Sequence, residues 1–231
     1  LEHMRHEGDN RRFPQAFAIY EGGLLGPSFD GHVIAPNSLA NLVYVSQRIS
    51  DGSTFRTRDE ADLLSTSDRW FRPVDAKIGP DGAIYLADWY DTRLSHVRPV
   101  DDWHKTSGRI YRVRPETGAP KLPAFDLHKA SADELLGYLS HSNRWFRRQA
   151  ALEIGWRHLT QLVPQLHSKA LDPNDPHALD AFFAADMLES VDATLLTRLL
   201  AHNDPYVRRW AVKIAGEKWG AVSGCASALG T

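Results

Sequence analysis

The chain has 231 residues, enough for one large or two small domains, and at 42% hydrophobic and 24% charged it has ordinary globular composition. Its 27 lysines and arginines are interleaved with 29 aspartates and glutamates, giving a net charge of −2 and a pI near 6.6, which excludes the electrostatic footprint of a nucleic-acid binder. No apolar run approaches the ~18–20 residues of a membrane span, and a single cysteine, Cys225, excludes an internal disulfide, a cysteine-built zinc site and a CxxCH haem attachment within the chain.

Residues 1–12 read as a tag or disordered start, because Leu1-Glu2-His3-Met4 looks like a cloning scar. From residue 13 the chain reads as short strands. AFAIY (16–20), GHVIAP (31–36), NLVYVSQR (41–48) and STFRTR (53–58) place β-branched and aromatic residues between the turn signals EGG, PN and DG. A second set follows: PVDAKIG (73–79), AIYLADW (83–89), a weaker RLSHVR (93–98) and GRIYRVRP (108–115). The turn Pro80-Asp81-Gly82 joins two of them. Each group spans roughly 40–45 residues, the repeat length of a propeller blade. The expectation for 13–115 is therefore an all-β partial propeller of about two four-stranded antiparallel blades.

The stretch RPETGAPKLP (114–123) has no periodicity, and 116–130 reads as a linker. Beyond it the hydrophobic period changes from two to 3.6. Residues 132–155 and 192–216 match when shifted by 61 positions: Leu135 on Leu196, Leu139 on Leu200, His141 on His202, Arg147 on Arg208, Arg148 on Arg209, Ala150 on Ala211 and Gly155 on Gly216. HALDAFFAADMLES (177–190) fits an intervening helical unit. Asp204-Pro205 supplies an N-cap and a proline for the first helical position. Helix pairs of this kind bury their apolar faces by stacking, so 131–217 reads as an all-α solenoid, with 218–231 as a tail. The fold class expected is α+β in two segregated domains.

These motifs carry two resemblances. HNDPYVRRWAVKIAG (202–216) resembles a HEAT repeat, by its Asp-Pro turn, its Val-Arg pair and its alanine on the second helix. AIYEGG, WFRPVDAKIGPDGAIYLADWYD and HKTSGRIYRV together resemble the closing blades of the quinoprotein sugar dehydrogenase-like propeller, in the form of the membrane-bound dehydrogenase domain family of planctomycetes and verrucomicrobia. That resemblance implies pyrroloquinoline quinone over a central channel with calcium nearby, oxidation of sugars or related alcohols, electron transfer to a c-type haem domain that this chain does not carry, and a periplasmic or cell-envelope location. It places Arg72 as a cofactor-binding arginine. Val74 stands where the family has a second arginine, and Ala40 stands near its lysine. The family's base histidine belongs to an earlier blade outside this chain.

Asp88 and Asp91 sit where a strand ends at a loop. Such positions either bind a cation or sugar at a channel mouth or satisfy loop amides. Arg72 precedes a proline and is therefore extended; it either contacts a cofactor or pairs with Asp75 or Asp88. Asp81 reads as a turn former. His141 and His202 read as structural, Arg147, Arg148, Arg208 and Arg209 as paired or solvated, and His104 as a surface histidine. Two blades cannot close a ring, so further blades or a second chain are expected at the sheet edges. Two functions are in play: a fragment of a propeller dehydrogenase, inactive alone, and a non-catalytic scaffold whose helical repeats bind a protein partner. Neither nucleic acid nor a membrane span is expected.

Overall fold

The computed structural model describes residues 6–7, 16–51, 54–91, 106–118 and 121–218. The expected strand at 93–98, His104 and Cys225 lie outside them. The described residues form an α+β mix of two largely antiparallel sheets and six α-helices, and among them neither sheet closes on itself. Among the described residues the last strand ends at Val113 and the first helical turn begins at Leu127. The chain divides into two compact units, Leu1–Leu122 and Pro123–Thr231.

In the first unit, β2 (Ala18–Ile19), β3 (Val33–Asn37), β4 (Leu42–Asp51) and β5 (Thr54–Ser65) pair antiparallel in chain order, and β1 (His6–Glu7) adds to β5 in parallel. The proline in β3 is tolerated because β2 pairs only with Val33 and Ile34, which leaves Pro36 bonded to β4 alone. β5 runs to Ser65, well past the 53–58 stretch expected from sequence. Its charges hid the alternation. They are matched across the ladder instead: the Ser46 hydroxyl donates to Asp59 at 3.1 Å, and Arg58 donates to Gln47 at 2.6 Å, both directly opposite pairs.

The second sheet is β6 (Pro73–Ile78), β7 (Ile84–Asp88) and β8 (Arg109–Val113), in that order and antiparallel. Both sheets contribute to one core of Tyr20, Ile34, Val43, Val45, Phe71, Ala76, Ile84 and Leu86. They are also locked by backbone proximity at two glycines. Gly82, at φ +76°, turns the β6–β7 hairpin, and a Cβ there would lie 2.6 Å from the Gly22 carbonyl. The Tyr20 hydroxyl donates to the Gly82 carbonyl (2.9 Å) and accepts from the Leu25 N–H (2.8 Å). The EGG and PDG motifs are thus two sides of one contact, where no side chain fits.

In the second unit, α1 (Ala132–Tyr138) with α2 (Arg144–Trp156), α3 (Val163–Leu171) with α4 (Ala178–Met187), and α5 (Ala193–Leu200) with α6 (Pro205–Glu217) form three successive pairs. α4 packs against both α2 and α6. A 3-10 turn, Leu127–Lys129, precedes α1 and occupies the end of the stretch read as linker. Ser131 and Glu134 close a capping box on α1, and Asn143, Asp192 and Asp204 cap α2, α5 and α6.

The 61-residue self-match has a physical basis in the turn before α2 and before α6. Arg147 Nη1 donates to the carbonyls of His141 (2.7 Å) and Ser142 (3.0 Å); Arg208 Nη1 donates to those of His202 (2.6 Å) and Asn203 (2.9 Å). The His141 Nδ1 accepts from the Asn143 N–H at 2.9 Å, and the His202 Nδ1 from the Asp204 N–H at 3.0 Å. Each arginine therefore closes a turn whose carbonyls the helix cannot reach. The middle pair lacks this clamp because Leu179 stands at the arginine's position. Lys169 holds that turn through Asp175 at 2.7 Å.

Packing alternates across the stack. α2 and α6 carry large then small (Phe146 and Ala150; Val207 and Ala211), while α4 carries small then large (Ala178 and Phe182), all of them buried. Ala211 has no exposed surface. Ala211→Leu is expected to cost on the order of 1–3 kcal/mol through overpacking, read as a fall in the urea midpoint of the helical signal; an unchanged midpoint would mean that the interhelical space is not filled.

Candidate functional site

Alternation along β7 buries Ile84, Leu86 and Asp88 on one face. An acid therefore ends a strand on its core side. Asp88 is 4% exposed, Arg72 7% and Asp91 6%. Asp88 Oδ1 accepts two backbone N–H groups, from Arg72 at 2.7 Å and from Tyr90 at 2.9 Å. The Trp89 N–H donates in turn to the Arg72 carbonyl at 2.9 Å. A register shift between Pro73 and Asp75 displaces the ladder here, so the main chain of Arg72 cannot find its rung in the β7 backbone alone. The carboxylate supplies the missing acceptor. It also braces Tyr90, which sits at φ +52°.

Arg72 and Asp88 thus lie at one end of the sheet, opposite the Pro-Asp-Gly turn, but their charged ends do not meet. The Arg72 guanidinium makes no ion pair with Asp75 or Asp88: Asp75 pairs with Lys77 at 2.7 Å, and Asp88 is held by the backbone. Nη1 of Arg72 donates to its neighbour's carbonyl, that of Phe71, at 3.1 Å. Two buried atoms of opposite character at this end, Arg72 Nε and Asp88 Oδ2, have no hydrogen-bond partner among the described residues. Burial lowers the Arg72 pKa from its ordinary value, against the pull of the Asp91 and Asp88 carboxylates.

Asn41, Arg109 and Tyr111, not singled out from sequence, complete the site. The Asn41 amide, from a left-handed position at φ 60°, donates to the Phe71 carbonyl at 2.6 Å. The Arg109 guanidinium lies 3.6 Å from the centroid of the Tyr90 ring, and Trp70 tilts against the same ring at 5.6 Å. Phe71 is buried against Tyr111, while Trp70 is 37% exposed. The sequence signal for Arg109 is its register opposite Asp88 on the paired strand.

Calcium takes 6–8 oxygen ligands. Asp88 has one carboxylate oxygen without a partner, and among the described residues no group of three or more His, Cys, Asp or Glu side chains is placed to hold a metal ion. The described carboxylates by themselves do not complete such a shell. Toward a quinone polycarboxylate the described site presents the buried Arg72 and the exposed Arg109, while Val74 and Ala40 add no charge.

The far end of the hairpin is a different electrostatic site. Burial pushes the Asp81 carboxyl up, but the Ala83 N–H, Arg112 and Tyr85 outweigh it and leave the pKa below the ordinary value. The bonds are 3.1 Å from Ala83, 2.8 Å from Arg112 Nε and 3.0 Å from the Tyr85 hydroxyl. Asp81 is thus the turn former expected from sequence, with an added cross-strand role. A carboxyl whose pKa is lower folded than unfolded stabilises the fold above the unfolded value, ~3.9, and that contribution is lost as pH falls through the folded value. Between pH 5 and 2 the wild type should therefore lose more stability than Asp81→Asn in urea unfolding. Parallel losses would remove Asp81 from the acid transition.

Residues 12–117, just under half of the chain, match the family model described as a domain of unknown function, DUF7133. No curated protein matches the chain, and no solved structure matches it. The matched segment takes in the strands from β2 to β8 and the whole Arg72–Asp91 site.

Proposed function

We propose that this chain is a non-catalytic scaffold: two propeller-type blades, β2–β5 and β6–β8, joined to a HEAT-like solenoid of three helix pairs whose second helices bind a protein partner. The observation that carries this reading is the engagement of Asp88 Oδ1 by the Arg72 and Tyr90 N–H groups. The most buried acid of the candidate site closes the end of a hairpin instead of facing a substrate. The blade assignment is supported by antiparallel pairing in chain order and by the core shared between the sheets. The solenoid assignment is supported by the repeated arginine clamp.

A second reading keeps the dehydrogenase. On this reading the chain is part of a quinone-dependent enzyme that oxidises sugars or related alcohols, and is inactive by itself. It rests on the family resemblance and on the two buried atoms without partners, Arg72 Nε and Asp88 Oδ2. One assay separates the two readings. The chain is supplied with pyrroloquinoline quinone, calcium, an artificial electron acceptor and glucose. The scaffold reading predicts no sugar-dependent reduction above an Arg72→Ala control; reduction above that control overturns it.

A further inference from the structure

The second helices leave charge unused in a regular pattern. Arg147 and Arg208 are held in the turn clamps. The residues that follow them, Arg148 and Arg209, are exposed and make no hydrogen bond or ion pair among the described residues. They occupy the same position in α2 and α6. The same position in α4 is Asp180, and its charge is already met by Arg147 at 3.1 Å and faced by His177 at 3.6 Å. Every other acid on these three helices is also engaged: Glu153 by His128, Asp186 by Lys218 and Glu217 by Lys213. An aromatic contact joins α4 to α6. The half-buried Trp210 ring meets Phe183 edge-on at 4.8 Å, under the Lys213 ammonium.

Resting on the scaffold reading, we infer that α2, α4 and α6 together dock an extended acidic peptide segment of a partner protein, with Arg148 and Arg209 as its two charge anchors. Geometry sets the spacing. Packed helices lie about 8–10 Å apart, so arginines on α2 and α6, with α4 between them, are separated by roughly 20 Å. An extended chain advances about 3.3 Å per residue. Carboxylates about six residues apart therefore reach both arginines. Asp180, midway in the row and already paired, offers no cation to an acid at the centre of the segment. Arginine suits this task because its planar fork pairs a carboxylate through two parallel bonds.

The test uses the full chain and the peptide Glu-Glu-Gly-Ser-Gly-Ser-Glu-Glu, followed through arginine side-chain Nε–H signals by NMR at low ionic strength. The signals of Arg148 and Arg209 should shift together with one dissociation constant, and R148E or R209E should each weaken binding at least threefold. Arg198, an exposed arginine on the first helix α5 with no partner among the described residues, is the control for unspecific attraction, and R198E should leave affinity within twofold. Equal binding of the peptide with glutamine in place of glutamate, equal loss on R198E, a shift at only one of the two arginines, or no shift at either overturns the proposal. The dehydrogenase assay reads separately: silence there alongside a failed peptide titration removes the acidic partner and leaves the scaffold, whereas sugar-dependent reduction removes the scaffold itself.

Discussion

Replacing Arg147 by Met lowers the stability of the helical unit by on the order of 3 kcal/mol, while the matching change at Arg208 costs about 1 kcal/mol. Both arginines donate to two turn carbonyls at nearly the same distances. They differ in one bond. Arg147 Nε also reaches Asp180 on the next helix pair at 3.1 Å, where the two side chains are 8% and 17% exposed. Removing Arg147 therefore takes the guanidinium from the part-buried Asp180 at an interhelical contact, and losing one partner of such a pair costs more than the pair contributes. Urea unfolding followed at 222 nm reads the helical signal. Equal losses for the two variants would show that the Asp180 pair adds nothing and that only the clamp matters.

The second large effect separates two roles for Asp88. Asp88→Ala removes the acceptor for the Arg72 and Tyr90 N–H groups, leaving one buried and one part-buried donor unsatisfied, at a cost on the order of 2–4 kcal/mol. Asp88→Asn keeps an oxygen where Oδ1 stands and removes a buried charge whose other oxygen has no partner. It should cost less than about 1 kcal/mol. If Asp88 served instead as counter-ion to the Arg72 guanidinium, the two variants would fall together. Thermal melts of the three proteins, read from the strand signal, decide between these roles.

The burial of Asp88 was legible in sequence, because Ile84, Leu86 and Asp88 share a face by simple alternation. Its task was not. The need for a side-chain acceptor at Arg72 arises from the ladder displacement at Val74, which depends on how two strands meet. The contact from Asn41 to Phe71 spans thirty residues and turns on a left-handed backbone position, so nothing local announces it. The outer helix pairs were legible for a reason now visible: His141 and Arg147, like His202 and Arg208, bind the turn backbone itself, so their spacing is fixed by geometry. The middle pair was harder to see. Leu179 and Phe182 replace the clamp and the small residue there, and only Asp175-Pro176 keeps the pattern, with the Asp175 carboxylate accepting from the His177 N–H at 2.8 Å. β5 was underestimated because its outward charges are balanced across the ladder by partners from β4 that a single strand does not display.

The scaffold reading depends most on Asp88 serving the fold and not a ligand, and thermal unfolding with and without calcium tests this directly. A ion that binds the folded chain alone raises its midpoint in proportion to the logarithm of ion concentration over its dissociation constant. With Asp88 Oδ1 held by two backbone N–H groups, wild type and Asp88→Asn should melt at midpoints that millimolar calcium does not move. A calcium-dependent rise in the wild type that Asp88→Asn abolishes would contradict the account.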